Sequence, residues 1–102
     1  METIIEDRLI EWDDEKNAIN KRKHGLGFET AAYVFMDPYH LEKYDDLHSD
    51  EEDRYQVIGC VGTVLFVVYT ERGDATRIIS ARLATAEERR AYYDGDSQGL
   101  YS

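Results

Sequence analysis

RYQVIGCVGTVLFVVYTERGDATRIISARL, at residues 54–83, is the stretch that decides the fold. Its first part alternates apolar and polar residues, which predicts a half-buried strand. After a turn at Gly62-Thr63, the run Val64–Tyr69 is apolar on both faces and predicts a central strand. A second turn at Gly73-Asp74 leads into the last strand, Arg77–Arg82. This stretch therefore predicts antiparallel strands joined by short turns.

The residues before this stretch predict one strand and two helices. Leu9–Trp12 has the pattern of a short strand, and Asp13-Asp14 can cap the helix that follows. That helix should run to His24, because Gly25 follows a cationic last turn. A second helix is indicated by an apolar stripe at helical spacing: Phe28, Ala31, Ala32 and Phe35. Asp37-Pro38 should end it.

The remaining segments complete a single domain. Tyr39–Asp46 predicts another strand and Leu47–Asp53 an acidic loop, while residues 85–88 form a capping box that opens a final helix. We expect an α+β fold with a short N-terminal strand, two helices, an antiparallel four-stranded meander and a C-terminal helix. This domain should span residues 1–94, and residues 95–102 should be a disordered tail.

Composition limits the classes of function. A chain of 102 residues with 42% hydrophobic residues suits one folded domain. The single cysteine, Cys60, has no partner for a disulfide, so we expect a cytoplasmic protein. We expect neither export nor membrane insertion, because residues 1–7 lack a basic leader and no apolar run reaches about 20 residues. The net charge of −10 argues against non-specific coating of nucleic acid.

Four residues distant in sequence should gather at one edge of the sheet: His48, Arg54, Tyr69 and Arg77. In an antiparallel meander, the start of the last strand lies beside the end of the strand before it and near the acidic loop. Arg82 is five residues further along, about 16 Å at the usual strand rise. We therefore expect Arg82 to touch another part of a substrate, unless a bulge or twist brings it back.

The first helix carries a polar and cationic face, formed by Asn17, Asn20, Lys21 and His24. Two interpretations stay open: a solvated face that complements the helix dipole, or a surface that contacts phosphate.

Arginines gathered with a histidine suit RNA cleavage through the 2′-hydroxyl. A base removes the hydroxyl proton, and cations hold the charge that develops on the phosphate. Composition alone favours the alternative that these residues form surface ion pairs. His40 and His48 lack ligand spacing, so a solvated acidic loop is preferred over a metal site, and we expect no cofactor.

Two groups of residues carry a resemblance to a known family. The first group is Trp12-Asp13, Lys16, Asn20, Lys23-His24-Gly25, Phe28, Ala31-Ala32, Val34-Phe35 and Asp37-Pro38. The second is Asp46, His48-Ser49, Glu52, Arg54, Ile58-Gly59, Val68-Tyr69-Thr70, Arg72, Arg77-Ile78-Ile79-Ser80-Ala81-Arg82, Ala84-Thr85, Glu88-Arg89 and Tyr92. In this order and spacing, about residues 9 to 93 resemble the BrnT toxin family.

The resemblance implies a type II toxin with a RelE/ParE-like fold that cleaves RNA. It implies a BrnA-like antitoxin whose ribbon-helix-helix part binds operator DNA, in a heterotetramer of two toxins and two antitoxins. The toxin would then meet DNA only through its antitoxin. With the resemblance, the expected catalytic residues are His48, Arg54, Arg77, Arg82 and Glu52. The expected substrate-binding residues are Lys21, Lys23, His24, Tyr69 and Arg72.

Two alternatives remain at the level of sequence. Leu83 stands where similar sequences generally carry a basic residue, and the chain is strongly acidic. These features favour, as the alternative, a catalytically weak or inactive member that binds its antitoxin in operon autoregulation. A metal-dependent hydrolase that uses His48 and the acidic loop is a third and weaker hypothesis.

Overall fold

A six-stranded sheet forms the centre of the fold, with helices packed on both faces. A computed structural model of the protein describes residues 1–95. The strands are β1 (Glu2–Ile5), β2 (Arg8–Glu11), β3 (Leu41–Tyr44), β4 (Arg54–Val61), β5 (Thr63–Arg72) and β6 (Ala75–Leu83). The helices are α1 (Asp14–His24), α2 (Phe28–Ala31), a 3₁₀ helix (Ala32–Met36) and α3 (Ala86–Asp94). The strands lie side by side in the order β1-β2-β6-β5-β4-β3.

The sheet is larger than the four-stranded meander expected from the sequence, and it is mixed. Neighbours from β3 to β6 pair antiparallel, but β2 pairs with β6 in parallel, with Leu9 opposite Ala75. The N-terminal strand β1 was not predicted at all. It forms a hairpin with β2 through Glu6 and Asp7, which have φ of 51° and 66°. Such two-residue turns usually carry Asn-Gly or Asp-Gly, so the turn has no sequence signal here.

Both ends of α1 lie where the sequence predicts. The Asp13 side chain accepts a hydrogen bond from the Lys16 backbone N–H at 3.0 Å, which caps the first turn. Gly25 ends the helix at φ 68°, a left-handed conformation that glycine adopts without steric cost. Within residues 1–95, no helix has the length and apolar character needed to cross a membrane.

The main core lies on the face of the sheet that α1, α2 and the 3₁₀ helix cover. The predicted apolar stripe is confirmed, since all four members are buried in this cluster: Phe28, Ala31, Ala32 and Phe35. The predicted second helix is, however, divided into α2 and the 3₁₀ helix. The opposite face carries a smaller cluster in which α3 packs on Ile58 and Val64.

The capping box of α3 is confirmed. Thr85 accepts from the Glu88 N–H, and the Glu88 side chain accepts from the Thr85 N–H. Gly95 ends α3 at φ 70°. The rest of the predicted disordered tail, residues 96–102, lies outside the described residues.

Buried asparagines fix α1 to its neighbours. The Asn20 amide donates to the Ala81 carbonyl at 2.8 Å and accepts from the Ala81 N–H at 3.2 Å. It also donates to the Leu26 carbonyl at 2.9 Å, while Asn17 accepts from the Phe28 N–H at 2.8 Å. Both asparagines therefore hold the helix against the rest of the fold. They are neither part of a solvated face nor contacts for phosphate, the two roles that the sequence left open for this face of α1.

We expect Asn20→Ala to lower the free energy of unfolding by about 2 to 4 kcal/mol, because it leaves a buried N–H and a buried C=O of Ala81 without partners. Arg22→Ala is the matched control on the same helix, since Arg22 is exposed and should cost about 0.5 kcal/mol. Urea denaturation of both variants measures the difference. Equal stabilities would show that Asn20 does not anchor the helix.

Candidate active site

An irregularity in the pairing of β5 with β6 arranges the arginines of the last strand. Val68 lies opposite Ser80 and Tyr69 opposite Ile78, so Ile79 is an extra residue on β6. Residues five apart in a regular strand point to opposite faces, because side chains alternate. The extra residue restores the alternation, and Arg77 and Arg82 share one face. The bulge that the sequence analysis left open is therefore present.

A groove of about 600 Å³ lies on the face of the sheet opposite the main core, the face that carries Arg77 and Arg82. Its floor comes from β4, β5 and β6, one wall from the start of α3, and the other wall from the loop that follows β3. Three of the predicted catalytic residues line it: His48, Arg54 and Arg82. The bulge thus brings Arg82 to the same groove as the other two.

A carboxylate orients His48 at the groove. Nδ1 lies 3.0 and 3.1 Å from the two carboxylate oxygens of Asp45. Since a carboxylate only accepts, Nδ1 carries the proton and Nε2 is the nitrogen left with a free lone pair in the neutral ring. The His48 side chain is 64% exposed and that of Asp45 is 6% exposed. A buried acid therefore holds an accessible imidazole.

Hydrogen bonds keep Asp45 ionised. Burial raises its pKa, but hydrogen bonds from Gln56 and His48 outweigh burial, and the pKa lies below the ordinary value of 3.8. The carboxylate also accepts from the Leu47 N–H at 3.2 Å. Asp45 was not among the residues predicted for the site, although its spacing of three residues before His48 is the signal that a local turn joins them.

The loop that carries His48 is closed at its base by Ser49. The hydroxyl donates to the Asp45 carbonyl at 2.6 Å and accepts from the Arg54 N–H at 2.9 Å. The Asp45 N–H donates to the Arg54 carbonyl at 2.7 Å. These bonds hold His48 and Arg54 at a fixed separation along the loop, although their side chains make no direct hydrogen bond in the described chain.

Arg82 forms the other wall of the groove with Glu88. Its two terminal nitrogens donate to the two carboxylate oxygens of Glu88 at 2.8 and 3.0 Å. Its guanidinium carbon lies 4.1 Å from the centre of the Phe66 ring. Burial raises the pKa of Glu88, but the bonds from Arg82 and from the Thr85 N–H lower it below its usual range. The sequence indicates a role for Glu88 in the capping box, but it does not indicate the contact with Arg82.

Two more predicted residues occupy a neighbouring groove of about 550 Å³. Glu52 and Arg72 form an ion pair there with an N···O distance of 3.6 Å. His48 and Arg54 line both grooves. Glu52 and Arg72 are therefore near the candidate site but on its acidic side.

Tyr69 does not join the cluster, contrary to expectation. It points to the main core, is 3% exposed, and donates from its hydroxyl to Glu42. Burial and that carboxylate raise the pKa of Tyr69 well above its usual range. The predicted position of Tyr69 along the strand is correct, but the predicted face of the sheet is wrong. Thr70, the next residue, lies opposite both Arg54 and Arg77, so the Tyr69 side chain points to the other face.

Arg77 lies outside the groove lining and forms an ion pair with Glu11 of β2. The two residues are direct partners in the parallel pairing of β2 with β6. The predicted four-stranded sheet had no strand at this edge, so the sequence analysis offered no partner for this arginine.

The basic end of α1 is on the other side of the sheet. α1 packs on the core face through Asn20 and Ala81, whereas the groove lies on the opposite face. Lys21 pairs with Glu29 at 2.6 Å, and Lys23 and His24 are exposed. The structure therefore does not bring the predicted substrate-binding residues of the helix to the groove.

The described part of the chain has no cluster of three or more His, Cys, Asp or Glu side chains arranged to hold a metal ion. His40, the other histidine considered for a metal, donates from Nε2 to the Glu42 carboxylate with an Nε2···Oε2 distance of 2.9 Å. That hydrogen bond, with a smaller opposing effect of burial, raises the pKa of His40 above 6.5.

Comparisons with known proteins identify a matching family and a solved structure with a similar fold. A family model described as ribonuclease toxin, BrnT, of type II toxin-antitoxin systems matches residues 12–88. The crystal structure of the Brucella abortus ribonuclease toxin BrnT is 29% identical in sequence and superposes with a TM-score of 0.57. The match covers 74% of this chain and 95% of that one. No curated protein matches the chain.

We expect Asp45→Asn to lower the free energy of unfolding at about pH 7 by about 1 to 3 kcal/mol, because it removes a hydrogen-bonded charge. A folded pKa below 3.8 means that the carboxylate stabilises the fold above that pH and loses this effect as pH falls through the folded pKa. The difference from the wild type should therefore shrink in acid.

Urea denaturation across this pH range measures the difference. Asp46→Asn, at an exposed neighbouring position, is the control and should track the wild type. A difference for Asp45→Asn that stays constant with pH would contradict the assigned ionisation.

Proposed function

Because the chain belongs to the BrnT family of type II toxin-antitoxin ribonucleases, we propose that it cleaves RNA through the 2′-hydroxyl without a metal ion. The groove lined by His48, Arg54 and Arg82 is the proposed catalytic site. The observation that carries this proposal is the pairing of His48 with buried Asp45 at a groove that two arginines share. The RelE/ParE-like classification of the fold and a cytoplasmic location belong to the same proposal.

His48 is the proposed general base. With its proton on Nδ1, held by Asp45, the ring offers Nε2 to the 2′-hydroxyl of a bound nucleotide. The oxygen then attacks the adjacent phosphorus, and the bond to the 5′-oxygen of the next nucleotide breaks as that oxygen takes up a proton from solvent. The imidazolium that forms is stabilised by the Asp45 carboxylate, as in other histidine–carboxylate pairs. The product on the 5′ side is a 2′,3′-cyclic phosphate.

Arg54 and Arg82 are the proposed stabilisers of the transition state. Negative charge increases on the non-bridging phosphate oxygens, and fixed cations in the groove favour that state. Arg54 makes no side-chain hydrogen bond or ion pair with any described residue, so its charge is available to a ligand. Glu52 and Arg72 lie in the adjoining groove, where they can contact a neighbouring nucleotide. Arg77 is left outside this proposal, since it lies outside the groove lining, where it pairs with Glu11.

The family implies an antitoxin partner, and we propose a BrnA-like ribbon-helix-helix protein in a complex of two toxins and two antitoxins. The toxin would meet operator DNA only through this partner. Charge supports the pairing, because a chain with a net charge of −10 complements a basic protein. Such complementarity mainly accelerates association.

We expect the purified chain to cleave RNA in excess EDTA and to leave 2′,3′-cyclic phosphate ends, while DNA of the same sequence stays intact. The reason is that protein cations replace a metal and that DNA lacks the attacking hydroxyl. Gel analysis and mass spectrometry of the products measure both. Cleavage that stops on chelation and returns with zinc or magnesium would overturn the mechanism.

Alanine substitutions test which residues form the catalytic site. His48→Ala, Arg54→Ala and Arg82→Ala should each reduce the rate by roughly 10²-fold or more, about 2.7 kcal/mol of transition-state stabilisation. Arg77→Ala is the control, an arginine on the same strand and face that lies outside the groove. Equal losses of cleavage rate for Arg77→Ala and Arg82→Ala would show that the catalytic site is not confined to the groove. A wild type that never cleaves RNA but binds its antitoxin would be the catalytically inactive binding module.

We expect the product of the adjacent short reading frame to co-purify with this chain when the two are co-expressed, because the family acts in toxin-antitoxin pairs. Light scattering of the purified complex should give the mass of two copies of each chain. Expression without the partner should arrest growth, and expression of Arg82→Ala without the partner should not. Failure of the adjacent product to co-purify would refute the proposed partner.

A further inference from the structure

The guanidinium of Arg82 is held on three sides by its own chain. The Phe66 ring lies 4.1 Å from its central carbon. Nη1 donates to Glu88 Oε1 at 2.8 Å and to the Leu83 carbonyl at 3.1 Å, and Nη2 donates to Glu88 Oε2 at 3.0 Å. The arginine therefore has one orientation at the wall of the groove.

This orientation leaves one edge of the guanidinium free. An arginine has five N–H donors, two on each terminal nitrogen and one on Nε. Both donors of Nη1 and one of Nη2 are used, so the Nε–H and the second Nη2–H remain. These two lie along the same edge of the planar group, at the spacing that suits two oxygens of one phosphate. No acceptor within residues 1–95 contacts this edge.

We propose that Glu88 is a positioning residue that turns Arg82 so that this free edge binds one phosphate group of RNA in the groove. The inference rests on the proposed function, and it names the phosphate subsite within it. Glu88 occupies a different edge of the guanidinium from the phosphate. The carboxylate therefore does not need to leave when substrate binds.

Glu88 is itself fixed by the start of α3. Oε1 accepts from the Thr85 N–H at 2.8 Å, and the Glu88 N–H donates to Thr85 Oγ1 at 3.2 Å. The side chain is 14% exposed. The helix cap thus fixes the Glu88 carboxylate, and the carboxylate in turn orients Arg82.

Two substitutions separate geometry from charge. Glu88→Gln keeps an oxygen for the cap, since glutamine also serves at this position, but it replaces the oxygen that accepts from Nη2 with an amino group. Glu88→Asp keeps the charge and shortens the reach to Arg82. Asp94→Asn is the control, because it removes the same charge from an exposed position of the same helix that lies outside the groove lining.

The first readout is the NMR signal of the Arg82 Nε–H during titration with inorganic phosphate, with thermal melting of each variant to confirm folding. We expect a saturable shift in the wild type. The dissociation constant should rise about fivefold or more in Glu88→Gln and in Glu88→Asp, and should stay within about twofold in Asp94→Asn. With RNA, both Glu88 variants should lose about tenfold in the rate at saturating substrate.

Two results would overturn the inference. One is an Arg82 Nε–H signal that does not respond to phosphate in the wild type. The other is phosphate binding to Glu88→Gln that equals or exceeds that of the wild type, which would make Glu88 a competitor of phosphate. If the wild type fails to cleave RNA, the proposed function fails, and the phosphate titration still decides the role of Glu88. If Glu88→Gln does not fold, Glu88→Asp gives the same decision.

Discussion

The hydrogen bonds between Asn20 and Ala81 are the constraint on which both the fold and the groove depend. β2 pairs with β6 only through Ala75 to Arg77, so Ala81 lies four residues beyond that pairing. The Asn20 amide makes there the two hydrogen bonds that a residue of an adjacent strand would make. It therefore joins α1 to the edge of β6 that β2 leaves uncovered. Because Ala81 lies between the bulge and Arg82, its anchoring on the core side directs Arg82 to the opposite face.

The bulge at Ile79 determines the face of the sheet on which Arg82 lies, and it therefore places Arg82 at the groove. Without the extra residue, Arg77 and Arg82 would lie on opposite faces, and Arg82 would not share the face of Arg54. A bulge depends on the pairing of two strands, so no local pattern within β6 reveals it. This explains why the sequence assigned the correct strand to Arg82 but could not assign the face on which its side chain lies.

Local features of the fold were predictable, and long-range ones were not. The caps at Asp13, Gly25 and Thr85 depend on residues within one turn; Gly25 and Thr85 were predicted, and Asp13 is one of the two caps that the sequence left open. The β1–β2 hairpin was missed because its turn, Glu6-Asp7, adopts positive φ without glycine, and the parallel pairing of β2 joins residues far apart in sequence. The same limit applies to the site. His48 and Arg82 were selected by residue type, whereas Asp45 and Glu88 acquire their roles only from folded contacts.

The acidity of the chain is compatible with a phosphate site because the carboxylates are distributed unequally among the arginines. Glu11 and Glu52 pair with Arg77 and Arg72. Around the groove, by contrast, Arg54 has no such partner in the described chain, and Arg82 keeps one edge free despite its bond to Glu88. Charges beyond about 8 Å are largely screened at physiological salt, so the net charge of −10 acts weakly on a phosphate already inside the groove. Asp45, Glu87 and Glu88 also line the groove, so the proposed RNA cleavage depends on the open donors of Arg54 and Arg82 rather than on the total charge of the chain.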